Sequence, residues 1–345
     1  MKQSALKNKK ILIIQTAFLG DVILALPMAQ TLRNHLPESR VDILVIPATA
    51  EVLDNHPAIN KVIQYDKKGG DKLDKFIEAL SEVREEEYDV VISPHRFTRS
   101  ALLTYWSEAK VRIGFRQNSL AFLLTAKAEY VKDRHEIYRN LELVKLVPGL
   151  EYDESKVSMK PDLYPSAEQK EKVRHTLNRA NLVSFAPCSK WYTKQLTLEK
   201  SAEIARGLLN AGYSIALLGG NNDTAYCSEL EAIIKDDELI NLCGKTVPLE
   251  SYEVMGRSRA VITADSAAQH LAAASGKPVV LIYGSTDISF GFYPLTAKNA
   301  IAENDSLECR PCTDHGRDKC PLGHFKCIVD LDAKRIVGMM EELVK

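Results

Sequence analysis

Short apolar runs of four to six residues recur along the chain, and between them lie longer stretches whose apolar positions follow helical spacing. In the first half the runs are Lys10–Gln15, Val41–Ile46, Lys61–Tyr65, Asp89–Ser93 and Val111–Gly114. Helical patterns cover Val22–His35 and Lys72–Glu86. In the second half the runs are Leu182–Ala186, Ser214–Leu218, Leu239–Leu242, Ala260–Thr263 and Val279–Tyr283. Helices fit between them at Leu198–Ala211, Ala225–Lys235, Leu249–Arg257 and Ser266–Ser275. Continuous apolar runs alternating with helices predict parallel, doubly wound α/β sheets. The alternation occurs twice. Val147–Ser166, rich in Pro, Asp and Ser, reads as the linker. The expected division is 1–165, 166–330 and a closing amphipathic helix over 331–345 that packs back on the first domain.

Two doubly wound domains are expected to set their strand carboxyl ends around a central cleft, the usual ligand position in open α/β sheets. The loops at those ends carry the polar residues. After the first strand, Thr16, Gly20 and Asp21 form a turn with too few glycines for a dinucleotide fingerprint. Asp21 is either a first-turn carboxylate stabilised by the helix dipole or a base for an attacking hydroxyl. In the second half, consecutive strand ends offer APCSKWYTK with Thr193 and Lys194, then Gly219-Gly220 with Asp223. CGKT with Thr246 follows, and then Asp265-Ser266-Ala267. Each alone reads equally well as an ordinary solvated loop or cap. In succession they describe a pocket for a nucleotide diphosphate, its phosphates at the start of the 266–275 helix.

With 345 residues, 45% hydrophobic and 26% charged, the chain is long enough for two globular domains. A formal net charge of -1 gives no support to nucleic-acid binding. No apolar run approaches the ~20 residues that span a bilayer, and Ile11–Ile14 is too short for a signal-peptide core. The expectation is a cytoplasmic protein. Trp106 is read as core, Trp191 as a flank of that nucleotide pocket, and His35 and His56 as surface residues.

The motifs GDVILALP, APCSKWYTK, GGNND, CGKT and TADSAAQHLAAASGKPVVLIYGSTD resemble the lipopolysaccharide heptosyltransferases, glycosyltransferase family 9. HEIYRNLELVKL and CPLGHFKC are also similar, and the heptosyltransferase II branch looks nearest. The resemblance covers nearly the whole chain. It implies a GT-B fold of two Rossmann-like domains and an inverting transfer of heptose from ADP-heptose to the inner core of lipopolysaccharide. It implies Asp21 as base and Lys194, with Thr193, at the donor diphosphate. It also implies Asp223 at the ribose, Thr246 at the adenine, Asp265, Ser266 and Ala267 at phosphate and sugar, and His270 one turn on. Ala267 stands where glycine is usual, and Ser285 where proline is usual.

An acidic acceptor suits the basic stretch that includes His95, Arg96, Arg99, Arg112 and Arg116, which is otherwise a solvated basic face. The expected partners are the nucleotide sugar, the lipopolysaccharide core and, transiently, the inner face of the inner membrane. No cofactor is required by this chemistry. Cys309, Cys312, Cys320 and Cys327 have zinc-ligand types at spacing unlike paired Cys-x2-Cys, so a zinc knuckle, reduced packing thiols and a labile disulfide stay open. The competing functions are a same-fold transferase for another nucleotide sugar and a noncatalytic sugar-nucleotide or metal-binding protein.

Overall fold

The computed structural model describes residues 8–67, 69–174 and 178–345. The chain divides into two compact units, Met1–Tyr164 and Pro165–Lys345. The first holds β1 (Lys10–Ile14), β2 (Arg40–Val45), β3 (Lys61–Gln64), β4 (Val90–Ser93), β5 (Val111–Phe115) and β6 (Ala126–Ala128). The second holds β7 (Leu182–Ala186), β8 (Ser214–Leu217), β9 (Leu239–Asn241), β10 (Ala260–Ala264), β11 (Val279–Ile282) and β12 (Asn299–Ala302).

Among the described residues these strands make two six-stranded sheets, ordered β3-β2-β1-β4-β5-β6 and β12-β11-β10-β7-β8-β9. Every ladder is parallel. Numbered within its own unit, the second sheet has the same order as the first. Both are doubly wound Rossmann-like sheets, and each has one switch point: β1 beside β4, and β7 beside β10. Ile11, Leu12, Ile13 and Ile14 are fully buried, as are Val261, Ile262 and Ala264. Strands covered on both faces therefore read as unbroken apolar runs.

β6 and β12 have no counterpart in the apolar pattern. Both are edge strands, short and half-exposed, so neither needs an apolar run. The predicted linker is also something else. Gln30 Nε2 donates to Ser158 Oγ at 2.7 Å and Asp162 Oδ2 at 2.9 Å, and Ser158 N donates to Thr31 Oγ1 at 3.0 Å. Residues 153–162 are thus laced to the Leu19–His35 helix, and the turn residues that resemble a linker serve that lacing. The closing helix, Ala333–Val344, is built into the second unit. Ile336, Val337 and Met340 join the core beneath β7, β8, β10 and β11, and Lys298 Nζ donates to Leu343 O at 3.0 Å.

Two side chains reverse their expected burial. His56 is buried, with Nδ1 accepting from Ala58 N at 3.2 Å and Tyr164 packed edge-on at 5.1 Å. Trp106, at a helix end, is 38% exposed and only edges against Phe76.

Candidate active site

In the second unit the loops after β7, β10 and β11 converge on one carboxylate. Asp265 immediately follows β10 and is buried. Its Oδ2 pairs with Lys194 Nζ at 2.7 Å and accepts from Thr286 Oγ1 at 2.6 Å. Its Oδ1 accepts from Gln269 Nε2 at 2.7 Å, and its carbonyl accepts from Ser189 Oγ at 3.1 Å. One residue on, Ser266 caps the Ala267–Ser275 helix, its Oγ accepting from Ala268 N at 3.4 Å. A lysine thus stands at a helix N-terminus whose first amides lack partners within the helix. Fixed positive charge and oriented N–H groups at one point suit a phosphate.

Thr193 is buried and its hydroxyl faces inward. Oγ1 accepts from Arg317 N at 2.8 Å and from Ser285 Oγ at 2.9 Å, and donates to Arg317 O at 3.2 Å. Ser285 N also donates to Thr193 O at 3.1 Å. Proline at 285 could make neither Ser285 bond. A strap over residues 307–317 completes the layer. Arg310 donates to Gly284 O at 2.6 Å, Thr286 O at 2.9 Å and Asn304 O at 2.8 Å, and pairs with Glu303 at 2.8 Å.

The loop after β8 is closed by Asp223, whose Oδ2 accepts from Gly220 N at 2.8 Å. Burial pushes its carboxyl up, opposed by that N–H. Thr246 Oγ1 lies 2.8 Å from Ser251 Oγ, and His270 is buried in the second turn of its helix.

In the first unit the switch-point loops bring Thr16, His95 and Ser100 together. His95 Nδ1 is 2.9 Å from Ser100 Oγ and 3.4 Å from Thr16 Oγ1. Lys67 Nζ donates to Thr16 O at 2.6 Å, and Arg99 bonds Tyr65. Asp21 lies in the first turn of its helix, with Oδ2 accepting from Phe18 N at 3.2 Å. Burial, then Lys67 and Arg96, push the His95 imidazole down to about 4.

The glycosyltransferase family 9 (heptosyltransferase) model matches residues 77–322. This chain belongs to glycosyltransferase family 9. Lipopolysaccharide heptosyltransferase 3 of Escherichia coli K12 is 26% identical over 285 residues, covering 79% of this chain and 81% of that protein. Among solved structures, a family 9 glycosyl transferase from Veillonella parvula superposes with a TM-score of 0.85 at 20% identity, covering 99% of each chain. The E. coli ADP-heptose LPS heptosyltransferase II superposes with a TM-score of 0.78 at 21% identity, covering 97% of this chain and 98% of that one. The fold is GT-B, and the activity class is glycosyl transfer.

The family 9 chain brings Lys194, Asp265, Ser266 and Ala267 to one helix start, and keeps Gly219, Gly220 and Asp223 on a neighbouring loop. It does not gather the basic residues. Arg112 donates to Ala109 O at 2.7 Å and Leu123 O at 3.0 Å, bracing its own turn. Arg116 pairs with Glu129 at 3.1 Å, and Arg96 stacks over Tyr130 at 3.8 Å. Arg99 bonds Tyr65, which follows the edge strand β3. Sequence reasoning missed Thr286, Gln269, Lys67 and the strap residues Arg310 and Arg317. Thr286 follows the departing Ser285, the one local signal available.

Cys309, Cys312, Cys320 and Cys327 are free thiols, and among the described residues no three His, Cys, Asp or Glu side chains form a metal site. Among them, too, no helix is long and apolar enough to cross a membrane.

Proposed function

We propose that this protein transfers a heptose from ADP-heptose, with inversion, to the inner core of lipopolysaccharide. The observation that carries the reading is Lys194 paired with Asp265 at the N-terminus of the Ala267–Ser275 helix. Cleaving the sugar–phosphate bond places negative charge on the departing ADP. Lys194 and the amides at that helix start receive it. Asp265 holds the Lys194 ammonium in place. Asp21 takes the proton of the acceptor hydroxyl, and a single displacement inverts the anomeric carbon. Asp223 and Thr246 take the ribose and the adenine. The naming of ADP-heptose for a solved structure that matches 97% of this chain supports the donor. The enzyme works at the cytoplasmic face of the inner membrane, touching it transiently when its lipid-linked acceptor docks. A donor other than ADP-heptose is the second reading, favoured by Ala267 and Ser285 at the phosphate loop.

The test is turnover of ADP-heptose with a heptose-deficient lipopolysaccharide acceptor, beside thermal shifts with ADP, UDP and GDP. ADP is expected to stabilise most. A larger shift with UDP or GDP selects the second reading. Asp21→Ala is expected to keep the ADP shift and lose about 10²–10⁴ in rate. Near-normal turnover of that variant would remove Asp21 from the mechanism.

A further inference from the structure

The first unit's switch point holds a side chain that the mechanism above does not use. Strands β1 and β4 are neighbours, with Ile13 opposite Ile92. The loop after β1 supplies Thr16 and leads to Asp21; the loop after β4 supplies His95 and leads to Ser100. Thr16 and Ser100 are both buried, and both hydroxyls approach the same ring atom, His95 Nδ1. The Phe97 ring meets the imidazole at 4.4 Å and 65°, which fixes its plane. Nε2 has no protein partner among the described residues, on a ring that is only partly buried.

Resting on the reading of this unit as the acceptor's, we propose that His95 is an acceptor-binding residue. With Nδ1 accepting a hydroxyl proton from Ser100 or Thr16, the ring's own proton sits on Nε2. That N–H is donated to an oxygen of the acceptor beside the hydroxyl that Asp21 deprotonates. Burial first, and then the cations Lys67 and Arg96, keep the imidazole neutral near pH 7. Lys67 and Arg99 supply the positive field that draws an anionic acceptor, and His95 supplies a directional donor of constant charge. The ligand class is a phosphorylated or carboxylated sugar.

The experiment measures calorimetric binding of de-O-acylated, heptose-deficient lipopolysaccharide to wild type, His95→Ala and His95→Gln. It adds heptosyl transfer at pH 5.5 and 7.5, with the ADP thermal shift as a control on the second unit. His95→Ala is expected to weaken acceptor binding about ten- to a hundredfold, as loss of a hydrogen bond to a charged oxygen does. The ADP shift should stay unchanged. His95→Gln, which keeps an N–H at similar reach, should recover most of the loss. The ratio of wild-type to His95→Ala activity should be equal at the two pH values. Acceptor binding by His95→Ala within twofold of wild type overturns the proposal. A ratio tenfold larger at pH 5.5 also overturns it, because the active form would then be the cation. Wild-type acceptor binding without turnover would sink the donor assignment and leave His95 judged on binding. No acceptor binding by wild type would overturn both.

Discussion

Thr193 Oγ1 is the point where three separated pieces of chain meet. Arg317 lies 124 residues on and Ser285 lies 92 residues on, and both reach the same buried oxygen. Thr193→Val keeps the shape and removes all three bonds, leaving Arg317 N and Ser285 Oγ without their partner. A cost of about 2 kcal/mol is expected in urea unfolding of the second unit. ADP binding should weaken with it, because Lys194 is the next residue. Thr193→Ser keeps the hydroxyl and should stay close to wild type in both measurements; equal behaviour of the two variants would deny the clamp. At this scale the sequence was legible where chemistry and position coincide. Lys194 and Asp265 could be read because a lysine and a carboxylate stand at strand ends. The Thr193 clamp could not, because a hydroxyl that binds across 124 residues leaves no periodicity and no local spacing. Arg112 misled for the opposite reason. Its charge is visible in the sequence, whereas the carbonyls of Ala109 and Leu123 that hold it are not.

Among elements, the strap over 307–317 matters most to the loop that carries Thr193 and Lys194. Gly316 adopts φ +98°, and a Cβ there would lie 2.5 Å from Trp191 Cβ and 2.8 Å from Lys194 Cδ. Gly323, at φ +73°, has open space around its own Cβ position. The pair separates backbone strain from collision. Gly323→Ala should cost about 1–2 kcal/mol, the penalty of a left-handed alanine. Gly316→Ala should cost more than that and should also weaken ADP binding, since the strap must lift from Trp191 and Lys194. Melting temperatures and ADP calorimetry on both variants check this, and equal losses would separate the strap from the proposed donor site. The central strands were legible as elements because burial on both faces writes an apolar run into the sequence. The edge strands β6 and β12 were not, because Ala126–Ala128 and Asn299–Ala302 are half-exposed and take their conformation from pairing with β5 and β11. The linker stretch is a similar case: the boundary between the units, after Tyr164, falls within it, yet residues 153–162 are laced to the first unit. Its prolines and aspartates have the composition of a loop, and only its bonds to Gln30, Thr31 and His35 show that it is fastened down.

For the molecule as a whole, acid acts on the first unit through His56 and His95. His56 is buried in the first unit, and burial pushes its imidazole down to about 4. An unfolded histidine titrates near 6.5. Between those values the unfolded chain binds more protons than the folded one. Stability therefore falls as pH drops from about 6.5 to about 4, by about 1.4 kcal/mol per unit from His56. His95 shifts in the same direction. Glu86, held below the usual carboxylate range by Lys61 and Arg40, contributes stability that is lost only as pH falls further, through its own folded value. The first unit's urea midpoint is expected to decline below pH 6.5. His56→Asn, whose amide oxygen can still accept from Ala58 N, should flatten that decline. An unchanged slope would assign the acid sensitivity elsewhere.

The strap has a further consequence in time. A chain emerging from the ribosome makes Lys194 long before it makes Arg317, and at ~5–20 residues per second the interval for 124 residues is roughly 6 to 25 s. Over that interval β7, β8, β10 and β11 can pair, but the loop that carries Lys194 has neither its clamp nor its cover. The Lys194 loop is therefore among the last parts of the protein to be finished. A nascent chain stalled before residue 317 carries the lysine without the geometry that makes it useful.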